Sequence, residues 1–202
     1  MVSLYIVRHG QTEFNLERKI QGWCDSPLTE LGIKQAKCVG LGLKDLDFVG
    51  CACSDKQRAI DTAKYILEGR DIEIIENSKI RELNFGSLEE QPISRIFELS
   101  DEVLMKGLKD FGGEDICELT ERYIEGLVEI CEYFKEGNVL VVSHGRAITT
   151  ALKAIDDLID DEIVILAKSK IVENCSISRL DYIDGNWDIV DYNNTSYAKK
   201  VD

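Results

Sequence analysis

The sequence is short of histidine and proline, with two of each in 202 residues, and it has no long apolar run. A membrane-spanning helix needs about 20 consecutive apolar residues, so a membrane protein is excluded. The N-terminus, MVSLYIVRHG, lacks a basic stretch followed by a long apolar segment, and it therefore predicts no secretory signal. We expect a cytoplasmic protein with no membrane partner.

Positive charge is scarce as well. Lysine and arginine number 24 against 38 aspartates and glutamates, which gives a formal net charge of −14. Such an excess of negative charge argues against nucleic acid or an acidic membrane surface as the main partner. If the protein binds an anion, it must do so through a local cluster of cations.

Cysteine is present, but not in a pattern typical of disulfides or metal sites. The seven cysteines are odd in number, and no pair has the Cys-x-x-Cys spacing. This predicts reduced, mostly buried thiols. Because neither histidine has a cysteine at ligand spacing, we expect no zinc site, and nothing in the sequence calls for another metal or a cofactor.

Strand and helix patterns alternate along the chain. The apolar spacing predicts strands at 3–8, 47–54, 71–76 and 138–145, helices at 29–46, 55–69, 93–111, 114–136 and 145–155, and a hairpin formed by 174–183 and 186–193. This order predicts an α/β fold with a mainly parallel sheet, covered on both faces, and an antiparallel edge. We expect one domain over 1–202, with a helical insertion or lid around 92–115.

Both histidines follow a predicted strand and precede a glycine, in VRHG at 7–10 and VSHG at 142–145. A single histidine at a strand end is more often a hydrogen-bonded core residue than a catalyst. Two copies of the same pattern, which use every histidine in the chain, favour a shared site. Ligands of open parallel sheets bind at the carboxyl ends of the strands, so we predict that His9 and His144 face each other across one crevice.

Charged residues lie near the same predicted edge. Arg8 directly precedes His9, and two adjacent cationic groups at the end of a buried strand favour a bound anion. Arg58 falls in the first turn of a helix, where a cation is unfavourable, although alone it would be interpreted as a solvated arginine. One carboxylate is also expected there, and the residues alone leave four candidates open: Glu82, Glu89, Glu90 and Glu114.

A series of motifs connects these residues. RHGQTEFN (8–15), QGWCDSPLTELG (21–32), SDKQRAIDTA (54–63), RELNFGSLE (81–89), GGE (112–114) and VVSHG (141–145) occur in this order. From residue 4 to about residue 155 the chain resembles the histidine phosphatase superfamily, the phosphoglycerate mutase-like enzymes. The resemblance implies a three-layer α/β/α sandwich and a metal-independent phosphoryl-transfer site.

The resemblance also implies roles for individual residues. His9 is expected to be the nucleophile that becomes phosphohistidine, and Glu82 the proton donor and acceptor. The phosphoryl group would be held by Arg8, Arg58 and His144. Further phosphate or substrate contacts are expected from Asn15, Gln21, Gly22 and Gly145.

Two positions near the site depart from this pattern or extend it. Glu90 stands where relatives often have glycine, and its carboxylate is expected to discourage strongly anionic substrates. Arg146 follows the second histidine motif. It either reaches a second anionic group of the substrate or is an exposed arginine in the first turn of a helix, and the sequence favours neither.

The function expected from the resemblance is a histidine acid phosphatase-type phosphomonoesterase acting on a small cytosolic metabolite. A phosphoglycerate mutase is the main alternative, although residues 83–113 leave no room for the extra segment that such mutases typically carry. A non-catalytic phosphate-binding module is a third. The substrate stays open among sugar phosphates, α-ribazole phosphate and phosphoglycerates, and the edge hairpin could pair two chains in a homodimer.

Overall fold

The computed structural model describes residues 1–105, 107–156 and 171–198. Within them, one sheet contains β1 (Val2–Arg8), β2 (Phe48–Cys53), β3 (Ile74–Glu76), β4 (Gly137–Ser143), β5 (Ile177–Ile183) and β6 (Asn186–Asn194). The strand order is β3-β2-β4-β1-β5-β6. The first four strands are parallel, and β5 and β6 are antiparallel to their neighbours, as predicted.

The helices follow the predicted alternation. They are α1 (Glu13–Leu16), α2 (Glu30–Gly42), α3 (Gln57–Ile66), α4 (Ser94–Glu98), α5 (Asp101–Met105), α6 (Ile116–Phe134) and α7 (Gly145–Ile155). Thr29 caps α2 by accepting a hydrogen bond from the Gly32 N–H at 3.0 Å. Asp115 and Glu118 form a capping box at the start of α6.

Alternating side chains of the central strands contribute to two separate hydrophobic cores, one on each face of the sheet. Leu4 and Ile6 of β1 pack with α6 and α7, whereas Val7 packs with Ala36 of α2 and Ala63 of α3. Helices therefore cover both faces, which confirms the predicted three-layer α/β/α architecture.

The prediction of one continuous helical stretch over 93–111 was wrong, because the structure has three short elements there. Leu99 is extended, and the Ser100 hydroxyl accepts from the Val103 N–H at 3.3 Å, so α4 ends and a new helix, α5, begins. A 3₁₀ turn at Lys109–Phe111 follows. Ile96 and Leu104 are nonetheless buried in the core beside α6, so each of the two short helices is anchored to the body of the protein.

Smaller differences concern element ends and coverage. The helix predicted at 29–46 ends at Gly42, and its Leu31 is 42% exposed. The cysteines are free thiols, four of them buried, as predicted.

The predicted domain span includes residues 106, 157–170 and 199–202, which lie outside the described residues. Among the described helices, none combines the length and apolar character needed to cross a membrane.

Candidate active site

The two histidines meet at the centre of the sheet. Strands β1 and β4 are parallel neighbours with Arg8 paired to Ser143, so the next residue of each strand emerges at the same edge. The His9 and His144 ring centroids are 5.3 Å apart with an interplanar angle of 61°. Both side chains are buried. The predicted juxtaposition of the imidazoles is confirmed.

The tautomer of His9 follows from its hydrogen bond. Its Nδ1 lies 2.8 Å from the Gly10 carbonyl oxygen, which can only accept, so Nδ1 carries the proton. A neutral ring then has its lone pair on Nε2. The Gly10 N–H donates to Thr62 Oγ1 at 3.0 Å, which fixes the carbonyl that orients the ring.

Both imidazoles are held in the neutral form. Burial lowers the pKa of His9 well below its ordinary value, and the nearby Arg58 and Arg8 lower it further. Burial and Arg58 likewise lower the pKa of His144. A neutral His9 keeps the Nε2 lone pair that a nucleophile needs.

The same shifts predict a pH-dependent stability. In the unfolded chain the imidazoles titrate near ~6.5, whereas in the folded protein they titrate well below that, so the unfolded state binds more protons as the pH falls below about 6.5. We expect the free energy of unfolding to fall on acidification from pH 7.5 to 5.5, with a slope of up to about 2.7 kcal/mol per pH unit from two groups.

Urea unfolding at several pH values measures this slope. The His144→Asn variant serves as the comparison, because removing one of the two imidazoles should reduce the slope. A free energy of unfolding that stays constant between pH 7.5 and 5.5 would contradict the account.

Arg58 is almost fully buried at the start of α3. Its Nη1 donates to the Cys24 carbonyl and to Asp25 Oδ1, both at 2.7 Å, and its Nη2 donates to the Gly22 carbonyl at 2.6 Å. Asp25 also accepts from the Gln57 N–H at 2.8 Å, so it caps the helix that carries Arg58. The loop at 22–25 therefore holds the guanidinium in place.

Arg8 is held in a similar way from the other side. Its Nη1 donates to the Val172 carbonyl at 2.7 Å. Burial lowers the pKa of Arg8 to about 10, so the guanidinium remains charged at neutral pH. The Nε atoms of Arg8 and Arg58 are buried and have no hydrogen-bond partner among the described residues. Because buried donors are normally satisfied, two such N–H groups in one cleft fit an anionic ligand.

The structure selects one carboxylate from the four candidates. Glu82 is buried, and its Oε1 accepts from the N–H groups of Leu83 and Ala147 while its Oε2 accepts from that of Arg146, all at 2.9 Å. The side chain therefore lies at the N-terminus of α7, where main-chain N–H groups hold both of its oxygens. Glu82 also lines the same cleft as His9 and both arginines.

The other three carboxylates have different surroundings. Glu89 accepts from the N–H groups of Trp23 and Cys24 at 2.8 and 2.7 Å, tying two loops together. Glu114 accepts from the Asn84 N–H at 2.9 Å and forms an ion pair with Arg122. Glu90 is exposed beside the cleft. None of these three lines the described part of the cleft.

The four predicted substrate contacts lie close to the histidines. Asn15, Gln21 and Gly22 line the cleft. Gln21 also has a structural task, because it accepts from the Thr12 hydroxyl and donates to Ser26 Oγ, both at 3.0 Å. The roles of these residues in binding stay predictions.

At the two glycines among these contacts, an added Cβ would meet neighbouring side chains. Gly22 has a left-handed backbone (φ +56°), and a Cβ there would lie 2.3 Å from Glu89 Oε1. At Gly145, a Cβ would lie 3.0 Å from Arg8 Nε. Larger residues would disturb the loop that holds Arg58 at the first position and the guanidinium of Arg8 at the second.

Three residues that support the site were not predicted from the sequence. The Asn174 Nδ2 donates to the His9 carbonyl at 2.9 Å, and Trp23 Nε1 donates to the Glu82 carbonyl at 2.9 Å. Arg122 Nη2 also donates to the Glu82 carbonyl, at 2.8 Å. No sequence signal marks them, because each acts through a main-chain oxygen far away in the chain.

The cleft encloses about 530 Å³, including its open mouth. Its ionisable groups are Arg8, His9, Arg58 and Glu82, together with Lys19 and Arg146 on its walls. The rest of the lining combines Asn15, Gln21 and Gly22 with an apolar part that consists of Ile20, Phe85, Ile93 and Ile171. A neutral imidazole, two guanidiniums and a carboxyl group in one cleft are the groups that phosphoryl transfer requires.

Comparison with known proteins gives evidence that is independent of the site geometry. A model of the histidine phosphatase superfamily (branch 1) matches residues 4–195. The chain is 36% identical to a probable phosphoglycerate mutase of Salmonella paratyphi A over 93% of this chain and 88% of the relative.

Two solved structures are similar throughout. A phosphoglycerate mutase from Bacillus anthracis has a TM-score of 0.85 at 34% identity, covering 98% of this chain and 96% of the other. A phosphoserine phosphatase mutant from Entamoeba histolytica, in complex with phosphoserine, has a TM-score of 0.79 at 26% identity, covering 98% and 99%. One similar protein is thus called a mutase and the other a phosphatase.

Proposed function

The chain belongs to the histidine phosphatase superfamily, and we propose that it is a phosphomonoesterase that hydrolyses a small phosphorylated metabolite through a phosphohistidine intermediate. The observation that carries the proposal is the state of His9. Its proton is committed to the Gly10 carbonyl, and its ring is neutral between two guanidiniums that each have an unpartnered buried Nε.

In the first half of the reaction, the Nε2 lone pair of His9 attacks phosphorus. The P–N bond forms while the P–O ester bond breaks, and the electron pair of that bond leaves with the alcohol oxygen. Glu82, in its acid form, gives this oxygen a proton. Arg8, Arg58 and His144 hold the remaining phosphoryl oxygens and stabilise the charge spread over them.

In the second half, water attacks the phosphohistidine. Glu82, now a carboxylate, takes a proton from the water as the new P–O bond forms. The P–N bond breaks, and its electron pair returns to Nε2 of His9. The cycle therefore restores the neutral imidazole and the protonated carboxyl group, and it releases inorganic phosphate. The positive charge comes from the arginines, so we propose that the reaction needs no metal.

A phosphoglycerate mutase is the second candidate. It is favoured by the name of the 36% identical relative and by that of the Bacillus anthracis structure. Against it stands the short segment 83–113, which lacks the extra residues expected of such a mutase. A non-catalytic binding module is less well supported, because all five expected groups lie in or directly beside one cleft.

The deciding experiment compares two activities of the same preparation, with a chelator present throughout. Phosphate release from 3-phosphoglycerate and p-nitrophenyl phosphate is measured beside interconversion of 2- and 3-phosphoglycerate. We expect release to exceed interconversion. If interconversion is faster, the protein is a mutase, and if the chelator abolishes both activities, the metal-independent mechanism is wrong.

A further inference from the structure

We propose that the preferred substrate is a phosphomonoester whose organic part is apolar, such as a medium-chain alkyl or aryl phosphate. This inference rests on the proposed function and specifies its substrate class. The evidence for it is the set of side chains that line the cleft beyond the phosphate-binding groups.

Four apolar side chains from separate parts of the chain converge on the cleft. Ile20 and Phe85 belong to two different loops, Ile93 directly precedes α4, and Ile171 precedes β5. Ile20 is fully buried, and Phe85 packs against the core, so these two have fixed positions. Ile171 lies next to the phosphate end, since its Cδ1 would be 2.6 Å from a Cβ at Gly145. An apolar leaving group can bury its surface against this wall.

Lys19 at the edge of the cleft is paired with a carboxylate. It forms an ion pair with Glu17 at 2.6 Å, and Glu90 adds to the negative field around it. An anionic group of a substrate beside Lys19 would therefore meet a cation that is already paired, with a further carboxylate close by.

Glu90 is held at this rim by an unusual backbone. Its φ of +68° is uncommon for a residue other than glycine, and its N–H donates to the Ile20 carbonyl at 2.8 Å. Glu90 therefore places a negative charge at the edge of the apolar wall, next to Ile20. This arrangement opposes a polyanionic substrate without affecting an uncharged alkyl chain.

A second cavity adjoins the cleft on the side of α4 and α5. It is mostly apolar and is lined by Leu83, Ile96, Leu104, Leu108 and Ile116, among others. Phe85 and Arg146 line both cavities, so these two residues form part of the boundary between the cavities.

The test compares two primary alkyl phosphates of equal length, hexyl phosphate and glucitol 6-phosphate. We expect kcat/KM for hexyl phosphate to be higher by at least about tenfold, because burying even two methylene groups is worth roughly that factor. Equal values, or a preference for the hydroxylated ester, would overturn the inference.

Ile93→Ser tests the wall directly, with Phe97→Ser as a matched control. Ile93 is 37% exposed and lines the cleft, whereas Phe97 is 58% exposed on the neighbouring turn and lines neither cavity. We expect Ile93→Ser to reduce the hexyl-to-glucitol ratio about fivefold, as the loss of part of an apolar contact predicts, and Phe97→Ser to leave it unchanged. A ratio unaffected by Ile93→Ser contradicts the proposal.

A binding measurement separates this inference from the proposed reaction. Calorimetric titration of the His9→Ala protein with each ester gives the ratio of dissociation constants without turnover. If the native protein releases no phosphate from either ester, hydrolysis is wrong, yet the binding ratio still decides whether the wall selects apolar groups. Equal dissociation constants would overturn the inference even if both esters were hydrolysed.

Discussion

His9→Ala should lower kcat/KM for phosphate release from p-nitrophenyl phosphate by roughly 10⁴-fold or more, as removal of a covalent nucleophile does in other enzymes. His9 is the residue proposed to form the P–N bond, and its ring is already neutral and oriented by the Gly10 carbonyl. Steady-state kinetics with a good leaving group measures the effect, because such a substrate places little demand on the acid.

Two controls show whether the loss is chemical. Arg8 and Arg58 are held by main-chain carbonyls and not by His9, so the variant should still bind inorganic phosphate in a calorimetric titration. Lys37→Ala, on the exposed outer face of α2, should leave turnover unchanged. Activity of His9→Ala within tenfold of the native protein would contradict a nucleophilic role for His9.

Glu82→Gln should affect substrates according to their leaving groups. An alkoxide needs a proton as it departs, so we expect kcat/KM for an alkyl phosphate to fall by about 10²–10⁴-fold, the usual contribution of general acid catalysis. Nitrophenolate is stable without a proton, so p-nitrophenyl phosphate should lose much less. The ratio of the two losses is the quantity to measure.

Glu89→Gln is the matched control for this experiment. Like Glu82, Glu89 accepts hydrogen bonds from three main-chain N–H groups, those of Trp23, Cys24 and Phe85, but it lies outside the described lining of the cleft. Loosening its loop should reduce turnover of both substrates by a similar factor. If Glu82→Gln also reduces both equally, Glu82 is a structural carboxylate and another group supplies the proton.

The sheet and the histidine pair could be predicted from the sequence because they rest on local patterns. The apolar runs at 3–8 and 138–145 predicted the buried strands β1 and β4, and the polarity of parallel strands places both histidines at one edge. Thr29 likewise identifies the start of α2 within a single turn. These signals need no knowledge of distant contacts.

The remaining parts of the site depend on contacts between distant segments. Arg58 looks solvated in sequence, and its burial follows from carbonyls at 22–24, more than 30 residues earlier. Glu82 is distinguished from Glu114 by the amides at the start of α7 and by its place in the cleft. The helix predicted at 93–111 was wrong because a single hydroxyl, that of Ser100, favours a new cap over continuation.

The most direct test of the account is to stop the reaction during turnover and determine which atom of the protein carries phosphate. Native protein mixed with p-nitrophenyl phosphate is quenched under alkaline conditions, which preserve phosphohistidine, and is analysed by mass spectrometry of its peptides. The phosphohistidine mechanism predicts one phosphoryl group on the His9 imidazole, absent from His9→Ala. Steady phosphate release with no phosphorylated protein, or with the phosphoryl group on a different residue, would contradict it.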